Sequence, residues 1–148
     1  MNSLRRIINL KNDETLLSEN IIKFSSNEKP RLIAGKCEKC GDISFPAKER
    51  CGKCESKNIK ETLLSNRAKI YSYTIVRRAF PGYELPNIVA VVKVKEDDSL
   101  MIITQIKECT PEEIRVGMEV ESILAELYKT SDGRKIIGYA FRPVDGGK

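Results

Sequence analysis

The sequence predicts a mainly β chain: N-terminal short helices, then a four-cysteine ribbon, then a five-stranded barrel. Three observations predict it. Apolar residues recur at helical spacing near the start. Four cysteines fall as two Cys-x2-Cys pairs separated by ten residues. Five β-branched or alternating stretches fill the second half, divided by turn-forming clusters. On these grounds the chain divides into a helical segment over 1–30, a ribbon over 31–64 and a barrel over 65–148.

In the first segment Leu4, Ile7 and Ile8 share one helical face. Asn12 or Asp13 is placed to cap a second helix in which Leu17, Ile21 and Phe24 recur four and then three residues apart, and Pro30 lies beyond its end. Two short amphipathic helices cannot bury their stripes alone. They are packing struts against the body of the protein or a docking surface for a partner.

The segment 31–64 has strand-like pieces at Ile43-Ser44-Phe45 and from Ile59 to Leu64, with too few apolar residues for a core of its own. A structural metal remedies that shortage. Cys37-x2-Cys40 and Cys51-x2-Cys54 read as two knuckles, with Gly41 and Gly52 available for positive φ. Four thiolates in a tetrahedron suit zinc, and a site filled by four protein ligands leaves no open position, so the zinc is structural. A rubredoxin-like iron site would use the same ligands, and two disulfides are the third reading. The cysteine count of five is odd and the start lacks the apolar run of a secretory signal. Both features favour a reducing, cytoplasmic setting over a disulfide framework.

The barrel strands are read at Ala68–Arg78, Ile88–Lys95, Leu100–Lys107, Glu119–Leu127 and Ile136–Phe141. Pro81-Gly82 with Pro86, Glu96-Asp97-Asp98-Ser99 and Ser131-Asp132-Gly133 supply the turns. Between the third and fourth strands, Thr110-Pro111-Glu112-Glu113-Ile114 has a helix-start signature. Five strands with a helix at that place match an OB-type barrel, and an SH3-like barrel is the competing architecture.

The absence of histidine closes off much of enzymology. It removes the commonest general base, every Ser-His-Asp or Cys-His arrangement and every histidine ligand. Cys109, with no histidine to activate it, reads as a small apolar filler rather than a nucleophile. The chain is therefore read as no enzyme. No apolar run approaches the roughly 20 residues of a membrane helix. Residues 1–60 carry 13 Lys+Arg against 8 Asp+Glu, while residues 61–148 carry 13 of each. Zinc thiolates would lower the surplus of the first part to about +3, well short of a dedicated nucleic-acid binder. The lysine, glutamate and isoleucine content points towards a heat-adapted source.

Arg77 and Arg78 leave the first barrel strand beside Phe80-Pro81-Gly82-Tyr83. Two guanidiniums and two rings form a candidate corner for a phosphate- and ring-bearing ligand such as a nucleotide moiety. Tyr71, Tyr73 and Ile75 share one face of that strand, and Ile70, Ser72, Thr74 and Val76 the other. Either face can be the interior; the tyrosines are read as core or half-buried, with an outward stacking platform as the alternative. Lys93 and Lys95 alternate with Val92 and Val94 as a solvated face.

A wider resemblance rests on Cys37-x2-Cys40-Gly41, Phe45-Pro46, Cys51-x2-Cys54, the Leu64-Ser65 linker and Ile70-Tyr71-Ser72-Tyr73-Thr74. It continues through Pro86-x-x-Val89-Ala90 and Val116-Gly117-Met118-x-Val120. Over roughly residues 12–143 the chain resembles the zinc-ribbon/OB-fold acyl-CoA-associated proteins of archaea and bacteria, first catalogued as a domain of unknown function. The resemblance implies N-terminal helices, a rubredoxin-like zinc ribbon and an OB domain. It also implies a non-catalytic acyl-CoA-binding or scaffold subunit partnered by a thiolase-like enzyme. In archaeal isoprenoid synthesis one member bridges acetoacetyl-CoA thiolase and hydroxymethylglutaryl-CoA synthase and contributes to their CoA site. The alternative function is single-stranded nucleic-acid binding, since ribbons joined to OB barrels also serve transcription and translation.

Overall fold

Strands dominate because β-branched runs alternate with polar residues at a period of two, which buries one face of each strand. The computed structural model describes residues 10–17, 21–25, 28–79, 81–95 and 97–144. Among the described residues there are ten strands: β1 (Glu14–Leu16), β2 (Ile22–Ser25), β3 (Glu28–Cys37), β4 (Ile43–Ser44), β5 (Ile59–Leu63), β6 (Arg67–Val76), β7 (Asn87–Val94), β8 (Met101–Ile106), β9 (Glu119–Lys129) and β10 (Lys135–Pro143). Among the described residues no helix is long and apolar enough to cross a membrane.

The five strands read from the second half are β6 to β10. They pair in the cyclic order β6-β7-β8-β10-β9, and β9 returns to β6. All pairings are antiparallel except β8 with β10, where Phe141 lies opposite Ile106. A closed five-stranded barrel with that single parallel contact is the OB topology, which settles the choice against an SH3-like barrel. Inward residues Ala68, Ile70, Ala90, Val92, Ile102, Val120 and Phe141 fill it.

The helix expected at 110–114 is one turn. Glu113 and Ile114 donate backbone N–H bonds to the Thr110 carbonyl at 3.0 and 3.2 Å. The Thr110 N–H donates to the Glu113 carboxylate at 3.3 Å, half of a capping box. The capping chemistry is there, but Gly117, with φ 89°, turns the chain into β9 before a second turn can form.

The N-terminal helices are corrected. The stripe Leu4, Ile7, Ile8 lies outside the described residues. The second predicted helix is replaced by β1 and β2. Glu14, Thr15 and Leu16 pair parallel with Lys135, Ile136 and Ile137 of β10, and β2 forms a hairpin with β3. Ile22-Lys23-Phe24 fits period two as well as Leu17, Ile21 and Phe24 fit the helical spacing, and short segments take whichever geometry tertiary pairing offers.

β3 joins the two halves of the molecule. Its first part pairs with β2, and its second part pairs with β4 and β5 to make the ribbon stem. Leu32, Ala34 and Leu64 sit in the same core cluster as the barrel residues. The Arg31 guanidinium donates to the Leu64 and Leu63 carbonyls at 2.8 and 3.3 Å, and the Ser122 hydroxyl donates to the Pro30 carbonyl at 2.5 Å. Further out, Phe45 meets Tyr139 edge to face with ring centroids 5.5 Å apart, and Tyr139 donates its hydroxyl to the Ile103 carbonyl at 3.0 Å. The ribbon is thus seated on the barrel wall rather than tethered to it.

Candidate functional site

The four knuckle cysteines converge. Cys37 closes β3, and the others lie in the two turns beyond it. Their Sγ atoms all lie within 4.8 Å of one another, with Cys37 to Cys54 and Cys40 to Cys51 each 3.5 Å. Tetrahedral zinc with Zn–S of about 2.3 Å requires sulfurs about 3.8 Å apart, which this cluster matches. All five cysteines are free thiols, so the disulfide reading fails. The site holds a structural zinc on Cys37, Cys40, Cys51 and Cys54.

Both knuckles have the same backbone pattern. The Cys37 N–H donates to the Asp42 carbonyl at 2.8 Å, and the Gly41 N–H returns to the Cys37 carbonyl at 2.8 Å. In the second knuckle Cys51 donates to Ser56 at 2.8 Å, and Glu55 returns to Cys51 at 3.1 Å. The fifth residue of each turn adopts the left-handed conformation: Gly41 at φ 81° and Glu55 at φ 63°. This corrects the role read for Gly52, which is not among the positive-φ glycines. The second knuckle carries its left-handed strain on a glutamate.

The thiols compete for protons. Backbone N–H groups of Cys40 and Lys39 hold the Cys37 thiol down to about 6, against the effect of burial. Cys51 is also lowered, chiefly by the N–H groups of Cys54 and Lys53, and the latter donates to its sulfur at 3.3 Å. At Cys40 the Asp42 N–H works downward, but burial and the neighbouring sulfurs prevail and push it up to about 12. Cys54 is raised in the same way, against the Ser56 N–H. A dication replaces the protons that the second pair retains. Lys53 ties the knuckles loosely, 3.8 Å from Asp42.

Around the stem Gly35 permits close approach. A Cβ there would lie 2.8 Å from Ile59 Cγ2 and 2.9 Å from Ala47 Cβ, so only glycine lets the loop before Cys51 fold back on β3. The sequence marks Gly35 only by its lying in a strand.

The barrel residues singled out from sequence lie apart from the metal. Arg77 and Arg78 are exposed beyond the end of β6, and Phe80 lies outside the described residues. Tyr83 stacks on Tyr128, centroids 5.2 Å apart and planes at 28°, so one face of its ring is taken. Tyr71 and Tyr73 are 51% and 39% exposed, against the expectation of core or half-buried rings for Tyr71 above all. Tyr71 lies on the opposite face from the buried Ile70, and the strand bulges here. Ile70 pairs with Val92 and Ser72 with Val91, leaving Tyr71 as the extra residue. The inward face therefore shifts from Ala68 and Ile70 to Ile75, which no strict alternation predicts. Cys109 packs on the core, and burial followed by Glu113 pushes its thiol up, which suits a filler.

Comparison with known proteins agrees with this geometry. Residues 28–59 match the ChsH2 rubredoxin-like zinc ribbon domain, and residues 61–124 match the ChsH2 C-terminal OB-fold domain. A DUF35 domain-containing scaffold protein of Pyrococcus furiosus is 37% identical over 118 residues, covering 79% of this chain and 86% of that protein. The benzoylsuccinyl-CoA thiolase subunit BbsA of Geobacter metallireducens is 31% identical over 115 residues, covering 78% of this chain and 76% of that one. Among solved structures the Ltp2-ChsH2(DUF35) aldolase superposes with a TM-score of 0.63 at 24% identity, over 76% of this chain and 84% of that one. That likeness shows a shared fold. Ribbon, barrel and relatives together place this chain in the DUF35 family, in which a ChsH2-type zinc ribbon is joined to an OB fold.

Proposed function

We propose that this chain is a non-catalytic scaffold subunit that docks on a thiolase-like enzyme and helps hold its acyl-CoA. The observation that carries the reading is the match to a thiolase subunit across 78% of the chain, in a sequence without a single histidine. Thiolase chemistry requires a cysteine nucleophile and a base, conventionally histidine. Here four cysteines are committed to zinc and the fifth is packed on the core with its thiol pushed up. The catalytic groups therefore belong to the partner.

In this reading the exposed Arg77 and Arg78 meet the CoA phosphates, and Tyr83 with Phe80, its near neighbour in sequence, meets the adenine. Hydroxymethylglutaryl-CoA synthase is the second partner in this reading, bridged to the thiolase through the same scaffold. The test is a pull-down of the tagged chain from its native host, followed by acetyl-CoA titration of the chain alone and with the captured enzyme. A thiolase-like enzyme is expected to co-purify, and acetyl-CoA is expected to bind more tightly to the complex. Thioester turnover by the isolated chain, or no thiolase among the captured proteins, overturns the proposal.

A further inference from the structure

The outer face of β6 and β7 carries a second cluster that the scaffold reading does not use. The register sets Lys69 directly opposite Lys93, an unfavourable like-charge pair on neighbouring strands. Arg67 and Lys95 extend the same rim, and the four cations surround a cleft of about 670 Å3 that the chain at Ala68, Ile70 and Val94 also lines. Two carboxylates answer them: Glu119 at 3.9 Å from Arg67 and Asp98 at 3.9 Å from Lys93. Among the described residues Lys69 and Lys95 have no such ion pair. The cleft therefore holds a surplus of two positive charges. The Tyr71 bulge projects a ring into it, with Lys93 Nζ 4.2 Å from the ring centroid.

A surplus of two cations calls for a dianion, a half-exposed ring calls for a flat partner, and the volume is that of a small-molecule site. We propose that this cleft binds a small nucleoside phosphate, with phosphate oxygens between Lys69 and Lys95 and the base against the exposed side of Tyr71. A continuous nucleic-acid strand fits less well. The neighbouring surface is aliphatic, with Met101 opposite Lys93 and Ile103, 68% exposed, opposite Val91, so rings and cations do not continue along it. The site does not depend on the thiolase reading. It lies near the start of β6, whereas Arg77 and Arg78 follow the end of that ten-residue strand, about 25–30 Å away along an extended chain.

The test is titration of the isotope-labelled, zinc-loaded full chain with ADP, pyrophosphate and adenosine at low salt, read by amide shifts. ADP is expected to shift residues 67–71 and 93–95, pyrophosphate to shift them at higher concentration, and adenosine to leave them still. Lys69→Ala with Lys95→Ala should weaken ADP at least about tenfold, as expected for losing charge-assisted contacts. Tyr71→Ala should weaken ADP about fivefold or more while leaving pyrophosphate unchanged, as expected for losing a stacking ring. ADP shifts confined to residues 77–86 would overturn this site and leave the thiolase-subunit reading intact. It fails equally if ADP is indifferent to the double lysine substitution, or if a twelve-nucleotide thymidine strand binds the same residues far more tightly than ADP.

Discussion

The ribbon tip and the barrel reach stability by different means. In the barrel, Val92, Val120, Ala140 and Phe141 are fully enclosed, and the strands close on themselves. Around the metal end of the ribbon, Ile43, Phe45 and Ile59 are only half-buried, and the enclosed side chains are Cys37 and Cys51. What apolar burial does for one half, a metal does for the other. Each half should therefore answer to its own perturbation.

The largest effect expected follows from taking the metal away. Structural zinc sites contribute on the order of 10 kcal/mol to folding, far more than the tip's contacts supply. Cys40→Ser, or a strong chelator, should abolish hydrogen-exchange protection over residues 38–59 while β6 to β10 keep theirs. If barrel and tip melt together, the two halves are one cooperative unit and the comparison breaks.

Zinc loading should also be steeply pH-dependent. Cys40 and Cys54 are raised, so the metal-free site retains their protons at neutral pH, and the metal must displace them. The zinc-bound state holds fewer protons, so affinity rises with pH and falls on acidification. Two displaced protons correspond to about 100-fold per pH unit. Competition with a colorimetric chelator at several pH values measures this slope; a flat profile would show that the thiols are already ionised.

The barrel's counterpart is Glu121, only 2% exposed, with Arg142 Nε 3.6 Å away and the same guanidinium donating to Glu108 at 3.0 Å. Arg142→Leu removes a cation from beside a buried carboxylate, which costs up to about 3 kcal/mol. Urea unfolding should record that loss with zinc affinity unchanged. A matching fall in zinc affinity would mean that the barrel core also sets the tip.

The finest discrimination lies between the two knuckles. Glu55→Gly relieves a left-handed non-glycine residue and should stabilise the zinc-loaded tip by about 1 kcal/mol. Gly52→Ala, where a Cβ would meet only Lys48 Nζ at 3.7 Å, should be within about 0.5 kcal/mol of neutral or slightly stabilising. Local exchange rates under native conditions would rank both. Stabilisation from Gly52→Ala exceeding that from Glu55→Gly would contradict the strain assignment.

The legible features of the sequence are those determined by near neighbours. Cys-x2-Cys spacing brings two sulfurs together within one turn, and the alternation of Lys93 and Lys95 with Val92 and Val94 marks which side of β7 is buried. The unread features depend on distant chain. β1 exists because residues 135–137 offer it a free strand edge, more than 100 residues away, and nothing within Glu14–Leu16 announces that edge. The bulge at Tyr71 depends on how β6 bends to meet both β7 and β9. Glu55 is left-handed because the ribbon must close, and the nearby Gly52 offered a more conventional and mistaken candidate. The cationic cleft stayed hidden because Lys69 and Lys93 are brought face to face only by strand register.

β3 acts as a rod between the two halves. It begins in the hairpin with β2, takes a hydrogen bond from the barrel at Pro30, and ends on a zinc ligand at Cys37. Seven residues of extended backbone span about 23 Å. Any tilt of the metal-bearing head must travel along this rod to its foot at Ser122, so the head is aimed rather than loosely hung. Whatever the head touches is thereby held at a set bearing from the barrel.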